Sequence, residues 1–118
     1  MREWRELRYY FRALADVRRL RIVAELSRTP EVAAKDLCLR LRASQPLISW
    51  HLRVLVRCGL VRTRRQGRQV FCALDRQAFL GYQQRLDLML TEEGPEGAAP
   101  REDLAPLSPQ HPPISAGV

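Results

Sequence analysis

Between positions 44 and 68 the chain concentrates side chains that carry positive charge or pair through hydrogen bonds. SQPLISWHLRVLVRCGL is followed at once by VRTRRQGRQVFCAL. At 100° per residue of helix, Ile48, Leu52, Leu55 and Val56 gather on one side of the first stretch. Pro46, Trp50, Arg53 and Arg57 occupy the other side, with Gln45, Ser49 and His51 on the flanks. Glutamine pairs bidentately with adenine, serine serves a base or a phosphate, and arginine reads guanine or holds the backbone. Leu47, at the edge of the polar side, is placed to touch a thymine methyl. Arg62, Arg64, Arg65 and Arg68 then surround Gly67. A charge run is usually only a solvated face; four arginines at one hairpin tip beside such a helix suit phosphates. Two members stay ambiguous. Trp50 either meets DNA or lies over the preceding helix, and His51 is a hydrogen-bonding flank or a phosphate contact rather than a metal ligand.

These residues need particular elements to hold them. Ser44 or Gln45 caps a helix with Pro46 in its first turn, where a missing N–H costs nothing, and Gly59 supplies a left-handed end. Val70, Cys72 and Leu74 alternate on one face of a strand, with Gln66-Gly67 as the turn before it. Upstream, Asp16 caps a helix to about Ser27 with Val17, Leu20, Val23, Ala24 and Leu26 inward, and Thr29-Pro30 breaks it. A short helix over about Ala33–Leu41 buries Leu37 and Leu41. Helix, turn, helix and basic hairpin together are the shape of a winged helix-turn-helix, whose second helix enters the major groove.

Charge agrees. The 118-residue chain has a formal net charge of +7 and a pI near 10.3. Nineteen of its 20 basic residues but only 8 of its 13 acidic ones lie before position 92, so the basicity belongs to the expected domain. Six of the 8 prolines fall between Pro95 and Pro113. We read 1–91 as a DNA-binding and dimerisation domain and 92–118 as a disordered, Pro-rich acidic tail.

Two narrow apolar stripes frame that domain. Trp4, Leu7, Phe11 and Leu14 repeat at helical spacing near the start, and Phe79, Tyr82, Leu86 and Met89 do so near residue 90. Their narrowness resembles a coiled-coil seam, and both are assigned to a homodimer interface. No stretch reads as a signal peptide or membrane span, and three cysteines make no disulfide framework. A reduced, cytoplasmic protein is expected. No Ser/His/Asp set, phosphate-cradling loop or paired-carboxylate constellation can be assembled, so an enzyme is not expected.

The segment SQPLISWHLRVLVRCGLVRTRRQGRQVFCAL resembles the ArsR/SmtB family of bacterial transcriptional repressors, and the likeness extends upstream over DVRRLRIVAEL and AAKDLCLRL. Its most specific parts are Ser44, Gln45, Ser49, His51, Leu52 and Leu55 in one run, the CGLV after it, and the R-x-G-R turn. The resemblance implies a homodimer joined through its first and last helices, bound to an imperfect inverted repeat near its own promoter and released by an inducer. Metal-sensing members carry Cys-x-Cys in the third helix. Here Cys38 matches the first thiol and Arg40 stands in place of the second. Other members bind metal on the last helix through Asp and His, where this chain has Asp87 and no histidine.

The expected fold is therefore mainly α with a small β-hairpin wing, a dimeric winged helix-turn-helix. The expected function is a sequence-specific DNA-binding regulator, a repressor that senses no metal, needs no cofactor and answers to an unidentified effector. Two alternatives compete. One is a thiol-redox or metal-responsive repressor using Cys38, Cys58 and Cys72; the other is a protein-interaction module without specific DNA binding, against which the basic wing counts.

Overall fold

The computed structural model describes residues 2–97, with side chains for 4–91. Its elements run α1 Arg2–Leu14, α2 Val17–Leu26, β1 Val32–Ala33, α3 Ala34–Leu41, α4 Gln45–Arg57, β2 Val61–Gln66, β3 Gln69–Leu74 and α5 Arg76–Gly97. The chain divides into two compact units, Met1–Asp87 and Leu88–Val118. The core and all the expected DNA-facing residues belong to the first.

α1 turns Leu7, Tyr10 and Ala13 inward at three-residue spacing. The chain then leaves the helical region at Asp16 (φ −150), whose carboxylate accepts the Arg19 N–H at 3.1 Å and opens α2. α2 buries Ile22 and Leu26. Val17, Leu20 and Ala24, expected inward, are exposed. They form an apolar line of their own on the far side of the helix from Ile22, and spacing alone could not choose between the two lines.

α3 buries Leu37 and Leu41 as expected and ends at Arg42 in the left-handed region (φ 53), with the Ala43 N–H donating to Cys38 O at 3.1 Å. Ser44 caps α4, its hydroxyl accepting the Leu47 N–H at 3.4 Å. At the far end Gly59 (φ 80) lets its own N–H reach Val56 O at 2.9 Å and the Leu60 N–H reach Leu55 O at 3.0 Å. That paired arrangement satisfies the last carbonyls and turns the chain sharply into the wing.

The wing strands β2 and β3 pair antiparallel from Val61↔Leu74 to Gln66↔Gln69. The turn is therefore Gly67-Arg68, one residue later than expected. Among the described residues only Gly67 of that pair has positive φ (64), the pattern of a type II′ turn. β1 adds a third strand the sequence did not signal, pairing Val32↔Cys72 and Ala33↔Phe71. Two residues carry no readable alternation. Ile22, Leu26, Leu37, Ile48, Leu55, Leu60, Val61 and Cys72 are fully buried, so the core draws on α2, α3, α4 and the sheet. Each of the larger aliphatics contributes about 1.5–3 kcal/mol of burial.

α5 opens where the Asp75 carboxylate accepts the Ala78 N–H at 3.1 Å. It continues to Gly97, past Leu90 where the apolar spacing stops and into the segment expected to be disordered; residues 98–118 of that tail lie outside the described residues. The two stripes assigned to a partner are partly used inside the chain. Leu7 is 5% exposed. Tyr10 stacks on Tyr82 at 4.4 Å and meets Phe79 edge-on at 6.1 Å, and the Tyr82 hydroxyl donates to Cys58 O at 2.9 Å. Leu14, Leu86 and Met89 are half-buried, which leaves Trp4 and Phe11 as the exposed members. A helix stripe wide enough to reach a partner first packs α1 against α5.

Candidate nucleic-acid interface

The exposed flank of α4 and the wing face one another across a cleft of about 520 Å³. The helix contributes Gln45, Ser49 and Arg53, and the hairpin contributes Thr63, Arg65 and Arg68. Strand alternation explains the selection. Thr63 and Arg65 stand opposite Cys72 and Val70 and share their face, whereas Arg64 stands opposite Phe71 on the other face. Lys35, the one lysine of the chain, also borders the cleft from the first turn of α3. Sequence reasoning missed it, because no local pattern tells that this turn lies beside the wing.

The four wing arginines do not act alike. Arg64 makes a bidentate pair with Glu31, Nε to Oε2 at 2.6 Å and Nη2 to Oε1 at 2.8 Å, and also donates to the Gln66 side chain at 2.8 Å. Its guanidinium lies 4.6 Å over the Phe71 ring. This hydrogen bonding holds the Glu31 carboxyl below the usual carboxylate range and raises Arg64 further. Arg62 sits 3.7 Å from the Asp75 carboxylate at the hairpin base. Arg65 and Arg68 have no ion-pair partner among the described residues. The arginine cluster expected at the tip is thus spread along the hairpin, with Arg64 clamped by a carboxylate and Arg62 lying beside one.

The cap Ser44 is exposed, and on α4 itself Gln45, Pro46, Arg53 and Arg57 are exposed while Leu47 and Ser49 are half-buried. Trp50 is 53% exposed. Arg19 of α2 stands 5.7 Å from its ring, and the His51 ring meets it edge-on at 5.0 Å. Trp50 and Arg57 face away from the wing, toward α1 and α2.

His51, on spacing alone either a hydrogen-bonding flank residue or a phosphate contact, takes the first role at 4% exposure. Its Nδ1 lies 3.0 Å from Arg19 Nη1. A guanidinium can only donate, so Nδ1 accepts and the neutral ring carries its proton on Nε2. Burial, helped by the repulsion of Arg19 and Arg18, outweighs the attraction of Asp16 and pushes the imidazole pKa below its ordinary value. Arg19 meanwhile donates from Nε to Ala13 O at 2.6 Å and from Nη2 to Arg12 O at 3.4 Å. One side chain thereby ties the end of α1 and the start of α2 to the middle of α4.

The thiols offer little to a soft metal. Burial raises the pKa of Cys38 and Cys58 and pushes Cys72 up to about 11, which disfavours the thiolates that metals bind. Arg40, in place of a second thiol, stands 3.6 Å from Glu25. Among the described residues no group of three or more His, Cys, Asp or Glu could hold a metal ion. Zinc and thiophilic metals take three or four sulfur or nitrogen ligands, and this donor set does not fit them.

A family model described as "Bacterial regulatory protein, arsR family" matches residues 16–63, from the α2 cap into β2. The chain is 48% identical over 60 residues to the "Arsenical resistance operon repressor" of Escherichia coli (strain K12), covering 51% of each protein. It therefore spans about half the length of that relative. The "Arsenical resistance operon repressor" of Staphylococcus xylosus is 36% identical over 91 residues, covering 76% of this chain and 86% of its own. Among solved structures, an "ArsR-like Transcriptional Regulator from Rhodococcus sp. RHA1" superposes with a TM-score of 0.76 at 29% identity, covering 88% of this chain and 97% of its own. With the winged helix and the sequence of its second and fourth helices in common with regulators and not with enzymes, the chain belongs to the arsR family of bacterial regulatory proteins.

Proposed function

We propose that this chain is a cytoplasmic, sequence-specific transcriptional repressor that binds an inverted-repeat operator as a homodimer. The observation that carries this reading is the cleft between α4 and the wing, in which Gln45, Ser49 and Arg53 stand opposite Arg65 and Arg68 with Lys35 at the rim. A helix flank rich in hydrogen-bonding groups reads base edges, and unpaired cations around it hold the backbone. The exposed Trp4 and Phe11 suit a partner surface. Residues 1–91 carry both tasks, and the tail beyond them neither. No described helix is long and apolar enough to cross a membrane. Regulation does not pass through a metal, given the poor donor set around Cys38. The raised thiols likewise count against a redox switch, and the basic cleft counts against a module that binds protein alone.

Selection of bound duplexes from a random pool tests this. The recovered sites should be inverted repeats with half-sites about one helical turn, roughly 34 Å, apart. Gln45→Ala should lose discrimination at one symmetric pair of positions, by about 1–3 kcal/mol. Equal weakening on every sequence would remove Gln45 from base reading, and recovery of no common site would overturn sequence-specific binding.

A further inference from the structure

A second cleft, of about 780 Å³, opens on the opposite flank of α4 from the wing. Its walls are Tyr9 and Arg12 of α1, Arg19 of α2, Trp50 and Arg57 of α4, and Tyr82 of α5, with the Glu6–Arg85 ion pair (2.7 Å) at its edge. The volume lies within the 300–1,000 Å³ of ordinary small-molecule sites, and such sites combine apolar walls with a few polar anchors.

The charge in the cleft is unbalanced. Arg85 is spent on Glu6 and on the Tyr82 ring, 5.1 Å away. Arg19 is spent on two backbone carbonyls and His51. Arg12 and Arg57 have no side-chain hydrogen bond or ion pair among the described residues, so two guanidiniums border the space without an anion. Three aromatic rings and Val54 supply flat apolar surface beside them. Nothing in DNA reading requires this arrangement, since Trp50 and Arg57 turn away from the wing. The exposed dimer-side residues of α1, Trp4 and Phe11, also lie round the helix from Tyr9.

We propose that this cleft binds a small organic acid with a planar aromatic body, its carboxylate held by Arg12 and Arg57 and its ring packed among Tyr9, Trp50 and Tyr82. Planar guanidiniums match a carboxylate in fork geometry, and arginine with aromatic rings holds flat anions better than compact ones. The occupant would touch α4 directly and would border the Arg19–His51 tie, so the cleft is where an effector could reach the reading helix. The binding claim stands apart from the DNA-binding reading, because its test contains no DNA.

The test is ligand-observed fluorine NMR on the full chain, with 6-fluoro-2-naphthoate as the probe and its primary amide as the neutral twin. The naphthoate line should broaden saturably, and the amide should bind at least about tenfold more weakly, as loss of a charge-assisted pair implies. The double variant Arg12→Gln/Arg57→Gln should weaken naphthoate binding by about the same factor, while Arg28→Gln, exposed in the turn after α2, should leave it unchanged. Both replaced arginines are exposed, so the helical circular dichroism should persist. Equal binding of acid and amide, or naphthoate binding indifferent to the double variant, would overturn the proposal. So would the absence of saturable binding by the naphthoate.

Discussion

Replacing His51 by leucine separates an anchoring role from a DNA contact. The ring is 4% exposed and accepts one hydrogen bond from Arg19, which keeps its bonds to Ala13 O and Arg12 O when the acceptor is lost. Leucine has nearly the same volume, so the packing loss is small and the lost bond to a charged donor dominates. Such bonds are worth about 1.5–3 kcal/mol. In a domain of this size each kcal/mol moves the melting temperature by about 4–8 °C, so the midpoint should fall on the order of 10 °C. His51→Gln keeps an acceptor and should recover part of the loss. Thermal melts followed by circular dichroism give the first number. Operator titrations at several salt concentrations, well below the melting point, give the second. The salt slope should not change, because a buried ring meets no phosphate. An unshifted melting point together with a slope flattened by about two units, one for each copy in the dimer, would return His51 to the DNA face and refute the anchoring argument.

Stability should also fall with acid. The folded pKa of His51 lies below its unfolded value of about 6.5, so its contribution is complete above that pH and is lost as pH falls toward the folded value, where the unfolded chain takes the proton first. Urea unfolding across that window should show a pH dependence that His51→Gln reduces, and an unchanged dependence would place it elsewhere. Trp4→Glu with Phe11→Glu should give monomers in sedimentation while the helical signal stays intact, because both side chains are exposed; a persisting dimer would assign the interface to other residues. Zinc, cadmium or arsenite should not release the protein from its operator. Release that disappears in Cys38→Ser would show ligands contributed from a second chain.

Much of the fold was legible because its signals are local. The Ser44 cap, Pro46 in the first turn, the Gly59 exit and the alternation of β3 are each set within a few residues, and the structure repeats them. What stayed hidden depends on neighbours distant in sequence. His51 and Trp50 flank one exposed helix in a wheel diagram. Arg19, 32 positions away from His51, draws the histidine inward and stands against the tryptophan. Glu31, 33 positions before Arg64, removes that arginine from the candidate interface. Lys35 enters the interface only because β1 brings the start of α3 against the hairpin. Leu7 and Phe79 carried the right periodicity for a seam, but periodicity does not say whether the surface opposite belongs to the same chain.

These partnerships change how many cations the DNA should feel. Arg53, Arg57, Arg62, Arg64, Arg65 and Arg68 are the cations that spacing alone assigns to DNA. If all six met phosphates in each half of a dimer, log affinity would fall with log salt at a slope of about −11, from −0.9 per contact. The structure supports a smaller set. Arg64 is clamped by Glu31, Arg62 lies beside Asp75, and Arg57 turns toward the second cleft, while Lys35 joins from α3. Four cations per protomer, Lys35, Arg53, Arg65 and Arg68, predict a slope of about −7. Arg65→Ala should then flatten it by about two units in the dimer, one for each copy. Arg64→Ala should leave it nearly unchanged and instead loosen the wing, since it removes the pair to Glu31 and the contact with Phe71. Glu31→Gln frees Arg64 without deleting it, and a slope that steepens in that variant alone would show the carboxylate to be what keeps this arginine from the DNA. If Arg64→Ala and Arg65→Ala flatten the slope equally, the clamp opens on binding and the division of the wing into two faces does not govern recognition.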